Sequence, residues 1–237
     1  SQTVHSCPLL LRWDVDTLRW GLRHASPLLF LLADTRALTP TAAADRNRDI
    51  AAALDQALQR EGLARDQVLL VSRGDSTLRG HGVLEPEVLQ GAFGPFDATF
   101  HVPAFLEGGR TTVNGVHLLH GEPVHTTPFA QDRLFGFSSS DLARWLEEKS
   151  DGAIAAASVQ RISGRELDAG CGAGLPLLIA RMRSLQGNAA VVVDAERQEQ
   201  LSALAAAVRA LQGEKRFLFR SAASLVKALA DPGLPPL

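Results

Sequence analysis

The sequence predicts an α/β protein: one layered domain in which helices flank a mostly parallel, Rossmann-like sheet. Two observations carry this expectation. Six short apolar runs recur along the chain without the alternation of a half-exposed strand, and between them lie segments whose apolar residues repeat every three to four positions. Strand, helix and strand in repeated succession is the pattern of βαβ units.

In chain order the predicted strands are "PLLFLLA" (27–33), "QVLLVS" (67–72), "DATFHVPAF" (97–105), "GAIAAASV" (152–159), "NAAVVVDA" (188–195) and "RFLFRS" (216–221). The first clear helical pattern covers 42–59, with Ile50, Leu54 and Leu58 on one stripe and Thr39 and Pro40 as start signals. After the second strand, "VLEPEVLQGAF" begins as a helix that Pro86 limits. The segment 138–149 opens on "SSSD" and sets Leu142, Trp145 and Leu146 on one face. Helical patterns also cover 175–185 and 198–211.

The bulk numbers exclude several classes. At 237 residues, 46% hydrophobic and 21% charged, the chain suits one sizeable domain or two small ones. Its 24 basic and 26 acidic residues are scattered, so the net charge of -2 offers no general grip on nucleic acid or anionic lipid. Only Lys149, Lys215 and Lys227 are lysines, and the arginine-rich remainder favours planar contacts to carboxylate or phosphate. Cys7 and Cys171 form neither a disulfide framework nor a zinc spacing, so a reducing cytoplasm is expected. No apolar run approaches the ~20 residues of a membrane helix, and no signal-peptide layout opens the chain. The first residue is Ser1, so a processed or partial chain is expected, and "DPGLPPL" (231–237) reads as the start of a linker.

In open parallel sheets, ligands bind at the carboxyl ends of the strands. The residues after the first three runs are therefore the candidates: Asp34, Thr35 and Arg36, then 73–80, then 107–112, and each group joins arginine to a hydroxyl residue. The loop "RGDSTLRGHG" is the most informative. A strand, a glycine turn and a helix N-terminus present N–H groups to an anion; Arg79 adds a bidentate contact, Ser76 and Thr77 add hydroxyls, and Asp75 suits sugar hydroxyls or a proton-accepting role. The competing reading has Asp75 capping the helix and Arg79 pairing with Glu85 or Glu87. An adhesion role for "RGDS" finds no support in a chain without signal peptide or disulfides. In "EGGRTTVNGVH", Gly108 and Gly109 permit close backbone approach, Arg110 is a second anion ligand, and His117 is either reactive or a satisfied structural histidine. Paired metal spacings such as H-E-x-x-H and the phosphate loop G-x-x-x-x-G-K-[ST] are both missing from the sequence.

"LDAGCGAG" (167–174), with the acid Asp194 further on in "VVVDAE", looks like the glycine loop that holds S-adenosylmethionine in methyltransferases. Three features argue against that. The preceding "QRISGRE" is polar rather than an apolar strand, only 63 residues come after Gly174, and some 160 residues before the loop would have no place in that fold. A glycine-rich start to a helix is expected instead.

The segments "LADTRAL", "VSRGDSTLRGHG", "VPAFLEGGRTTVNGVHLLHGEPVHTTPFAQD" and "VVVDA", with an acid at Glu85, together resemble the N-terminal, acid-binding domain of the four-carbon acid sugar kinase family. The likeness spans most of the chain and is strongest over 29–137. It implies phosphorylation of a sugar acid such as threonate, erythronate or 3-oxo-tetronate. It further implies ATP and Mg held mainly by a C-terminal nucleotide-binding domain that this chain does not contain, with 1–230 as the acid-binding domain. The family usually opens with an Asp-Asp-x-Thr-Gly loop, and "SQTVHS" resembles the segment directly after that loop, so this chain alone is expected not to turn over. Where many members have a lysine-rich "KKxDSTLRG", this chain has "VSRGDSTLRG", which marks a divergent branch. The resemblance implies that Arg79 and Arg110 take the carboxylate or the transition-state charge and that Asp75 orients hydroxyls. Asp34, Arg36, Ser76 and Thr112 complete the shell, and the proton acceptor is Asp75 or an aspartate of the opening loop. The rival of another class is a non-catalytic module that senses or carries a sugar acid.

Overall fold

The computed structural model describes residues 7–230. Strand β1 (Leu9–Leu10) leads into α1 (Val15–Leu22), which Asp14 caps by accepting the Thr17 N–H at 3.0 Å. Next, β2 (Phe30–Leu31) lies parallel to β1, and α2 (Pro40–Arg60) starts on a Thr39 cap with proline in its first turn, as the sequence predicts. Then come β3 (Leu70–Arg73), α3 (Leu84–Phe93) and β4 (Ala98–Val102). A small antiparallel sheet is next, built from β5 (Arg110–Val113), β6 (Val116–Leu119) and β7 (Glu122–Pro123). The remainder is α4 (Leu142–Lys149), β8 (Gln160–Ile162), α5 (Gly164–Gly170), α6 (Leu175–Arg183), β9 (Ala189–Val193), α7 (Gln198–Ala210), β10 (Phe217–Ser221) and α8 (Ala223–Ala230).

The main sheet has five parallel strands in the order β3-β10-β4-β9-β8. Both faces are covered, which is why its strands read as continuous apolar runs. Phe100, Val191, Val193 and Phe219 pack with Leu167, Leu178, Leu201, Leu204 and Leu225 from α5 to α8. On the opposite face, Leu218 joins Ala51, Leu58 and Phe93 of α2 and α3, while Val192 joins Trp145 and Leu146 of α4. Helix α2 reaches further, packing Ala57 against Leu10 and Leu18 beside the β1-β2 sheet.

Two predicted strands differ from the structure. The run 27–33 yields only β2, which pairs with β1 and stays outside the five-stranded sheet. The run 152–159 forms no strand: Asp151 and Gly152 turn with φ of 51° and 84°, and the strand begins one step later at β8. That strand lies at the sheet edge, where Gln160 and Arg161 reach outward and only Ile162 is buried, so its polar sequence hid it. The predicted linker at 231–237 and the "SQTVHS" segment lie outside the described residues.

Candidate functional site

The main site lies where the sheet geometry places it, beyond the carboxyl end of β3. Chain reversal after Arg73 needs left-handed backbone at Leu78 (φ 64°) and Gly80 (φ 91°). Asp75 organises this turn. Its Oδ1 accepts the Thr77 N–H at 3.1 Å, its carbonyl accepts the Leu78 N–H at 3.1 Å, and its Oδ2 receives Arg79 Nε at 3.0 Å. From the loop after β2, Arg36 approaches the same Oδ2 at 3.5 Å. The carboxylate thus sits between two guanidinium groups, one half-exposed and one largely covered. Neither competing role is found: Asp75 caps its own turn rather than α3, and Arg79 pairs with Asp75 rather than with Glu85 or Glu87.

Arg79 is also held by a stretch outside the three strand exits. The Arg79 guanidinium stacks over the Phe129 ring at 4.6 Å and lies 3.9 Å from Asp132. Asp132 accepts the N–H groups of Leu134 and Phe135, which hold its carboxyl below the usual range, with Arg79 and Arg36 adding to the effect. The stretch "TTPFAQD" contains both Phe129 and Asp132, but nothing in its spacing ties either residue to Arg79.

Asp34, Arg36, Asp75, Ser76 and Arg79 line one cavity of about 1360 Å³, together with Thr35, Arg73, Glu85 and Arg220. The Arg73 side chain is exposed and has no hydrogen-bond or ion-pair partner among the described residues. Two expected site residues do not line this cavity. Thr112 is fully buried, and its hydroxyl meets His117 Nδ1 at 2.9 Å. Arg110 folds back on its own turn, with its guanidinium donating to the Gly108 carbonyl and lying 5.7 Å from the Phe105 ring. Both placements share a cause. The expected exit after β4 is instead an antiparallel sheet, whose Asn114-Gly115 and His120-Gly121 turns have the paired positive φ of tight hairpins.

His117 is a buried strut. Its Nε2 donates to the Ser76 carbonyl at 2.8 Å and its Nδ1 accepts from Thr112, the neutral tautomer; burial pushes its pKa down to about 4. Through it the β5-β6 hairpin holds the Asp75 turn in place.

Beneath the turn lies a charged pair invisible in sequence. Arg220 of β10 donates to Glu85 in the first turn of α3 and to Ser72 Oγ, the latter at 2.7 Å. Glu85 also accepts the Thr35 hydroxyl, and all four residues are buried. Gly74 covers the pair: a Cβ there would stand 2.7 Å from Arg220 Nε.

"LDAGCGAG" is a helix-to-helix turn, joining the end of α5 to the start of α6. Two of its three glycines serve packing, since a Cβ at Gly170 would stand 2.9 Å from Leu178 and one at Gly174 would stand 2.8 Å from Ala169, whereas one at Gly172 would meet nothing within 4 Å. Asp194 is spent on backbone, accepting the N–H groups of Gly115 at 2.8 Å and Gly164 at 3.0 Å, and is buried. Asp194 is therefore not free to hold a ribose, and the methyltransferase reading is set aside. Among the described residues, no group of three or more His, Cys, Asp and Glu is placed to hold a metal ion. Nor is any helix there long and apolar enough to cross a membrane.

The molecule is thus a parallel α/β domain with an arginine-flanked carboxylate at its strand ends, the place where such sheets bind ligands. Residues 2–229 match the family described as the sugar-binding N-terminal domain, and the chain belongs to it, as the N-terminal domain of the four-carbon acid sugar kinase family. A D-erythronate kinase of Heliobacterium modesticaldum is 32% identical over 122 residues, covering 52% of this chain and 26% of that protein. Among solved structures, a Bordetella bronchiseptica protein with a domain of unknown function, a domain-swapped dimer with bound citrate, superposes with a TM-score of 0.71 at 24% identity. It covers 94% of this chain and 50% of its own. A Haemophilus influenzae protein gives a TM-score of 0.64 at 14% identity, covering 94% and 55%. This chain therefore spans about half the length of these solved relatives, and their likeness shows the fold.

Proposed function

We propose that this chain is the acid-binding half of an ATP-dependent kinase that phosphorylates a four-carbon sugar acid at a terminal hydroxyl. One observation carries the reading: Asp75 is held at the strand ends between Arg36 and Arg79, beside Ser76 and Asp34, in one open cavity. Phosphoryl transfer depends mostly on positioning and charge neutralisation. Arg79, stiffened by Phe129, is the carboxylate ligand, with Arg36 and the unpaired Arg73 adding positive charge. Asp75 orients substrate hydroxyls and is the candidate proton acceptor within this chain. Mg-ATP, held mainly by a C-terminal nucleotide-binding domain, would supply the phosphoryl group. The D-erythronate kinase relative and the citrate in the Bordetella structure support an acidic, hydroxylated ligand.

Calorimetric titration of D-erythronate, L-threonate and 3-oxo-tetronate, with S-adenosylmethionine as control, tests the reading. Binding of one sugar acid is expected. Replacement of Arg79 by Ala removes charge-assisted hydrogen bonds worth about 3 kcal/mol together, or roughly 100-fold in affinity. Unchanged affinity in a folded Arg79→Ala variant would remove that residue from the site.

A further inference from the structure

The site is assembled from two stretches that belong to different sheets. Residues 34–36 come after β2 of the two-stranded sheet, whereas 74–80 come after β3 at the edge of the five-stranded one. Among the described residues β2 and β3 do not pair with each other, and the cavity opens between them. Backbone hydrogen bonds of the sheets therefore cannot set the distance between Arg36 and Asp75.

Three side-chain contacts cross from one stretch to the other. Arg36 meets Asp75 at 3.5 Å, but its side chain is 54% exposed and such a pair holds a loop weakly. His81 Nε2 meets the Leu38 carbonyl at 3.0 Å. The third is the Thr35 hydroxyl on Glu85, which is buried and backed by Arg220 and Ser72. Both ends of this third contact are anchored. On the Thr35 side, Arg46 donates to the carbonyls of Ala33 and Asp34 at 3.0 Å each, while Asp34 takes the left-handed backbone (φ 46°) that aims Thr35 inward. On the other side, the Arg220 guanidinium lies against Gly74, whose N–H donates to the Ser221 carbonyl at 2.8 Å. One connected set of buried groups thus touches the residue before Asp75 and the residue before Arg36.

We propose that Thr35, Glu85 and Arg220 form a positioning strut that fixes the separation of the two halves of the site, with the Thr35 hydroxyl as the hook that presents Arg36 to Asp75. None of the three is a catalytic residue; they act through Arg36 and Asp75. The role in acid binding rests on the function proposed above, whereas the mechanical role does not.

The test compares Thr35→Val, which keeps shape and loses the hydroxyl, with Thr35→Ser, which keeps the hydroxyl. Two readouts are taken on the full 237-residue chain at a temperature where both variants are folded. In hydrogen exchange, the Leu38 amide, bonded to the Thr35 carbonyl at 2.9 Å, reports the loop, and the Phe100 amide in β4 reports the core. Thr35→Val should speed exchange at Leu38 by about tenfold, the equivalent of one hydrogen bond, and leave Phe100 unchanged. Thr35→Ser should match the parent. In calorimetry with D-erythronate, Thr35→Val should weaken binding about tenfold and Thr35→Ser should restore it. Unchanged exchange at Leu38 in Thr35→Val overturns the strut. Faster exchange with unchanged D-erythronate affinity overturns its role in presenting Arg36. If the parent chain binds no sugar acid, the function proposed above fails while exchange still decides the strut.

Discussion

Replacing Glu85 by Ala should destabilise this domain far more than a typical single substitution. Glu85 and Arg220 leave only 10% of each side chain exposed, and the carboxylate accepts from both Arg220 and Thr35. Alanine leaves the guanidinium in the interior with Ser72 Oγ as its remaining hydrogen-bond partner. Removing one member of a buried pair costs about 3–5 kcal/mol, because the surviving charge stays desolvated. Losing an acid from the first turn of α3 adds a few tenths through the helix dipole, giving roughly 4 kcal/mol. For a chain of 237 residues, at roughly 2–4 °C per kcal/mol, Tm should fall by about 8–16 °C in a calorimetric melt. A Glu85→Leu, Arg220→Met double variant removes both charges, keeps most of the volume, and should regain most of that loss. A fall below about 3 °C for Glu85→Ala would show that the pair carries no desolvated charge. A double variant no better than the single would show that the loss comes from packing rather than from charge.

Stability should also fall with acid in a window set by two buried histidines. Burial, with Arg220 adding, pushes His101 down to about 3, and burial pushes His117 down to about 4. The unfolded chain takes up these protons near pH 6.5, so stability is full above that value and declines below it, by about 1.4 kcal/mol per histidine per pH unit. Urea melts at pH 7 and pH 5 should differ by about 4 kcal/mol, and His117→Gln should roughly halve the slope; equal midpoints would refute the burial of both rings. Glycine positions supply a contrast. Gly74→Ala should cost about 1–3 kcal/mol and weaken ligand binding, because its Cβ meets a guanidinium held by Glu85 and unable to retreat. Gly91→Ala, in α3 with no atom within 4 Å of the new Cβ, should stabilise by about 0.5–1 kcal/mol. The same sign for both in thermal melts would contradict these environments.

Much is legible in local pattern. Apolar runs bounded by turns locate β3, β4, β9 and β10, and helical periodicity, with the Thr39-Pro40 start signal for the first, locates α2 and α7 to within two residues. The loop from Asp75 to Arg79 stands out in sequence as a glycine-containing strand exit, but the ion pair that joins its two ends does not. The polar approach to "LDAGCGAG" is a misleading signal, since "QRI" forms β8, and the stretch is instead explained by the packing of Gly170 and Gly174 between α5 and α6. The hairpin leaves a signal too, in Asn114-Gly115 and His120-Gly121 between β-branched and apolar residues, but the arginine and threonines before it read equally as a strand exit.

The sequence by itself therefore determined the class of fold and the one loop whose partners are neighbours in the chain. Only the tertiary structure decided which distant groups meet. It paired Glu85 with Arg220 across 135 positions and brought Thr35 to Glu85 across 50. It also set β2 apart from the main sheet and buried Thr112 behind His117. The physical reason is that periodicity and capping report energies within a turn or a strand. A buried charge, by contrast, selects its partner by exclusion of water, which depends on how layers formed from separate stretches close over one another.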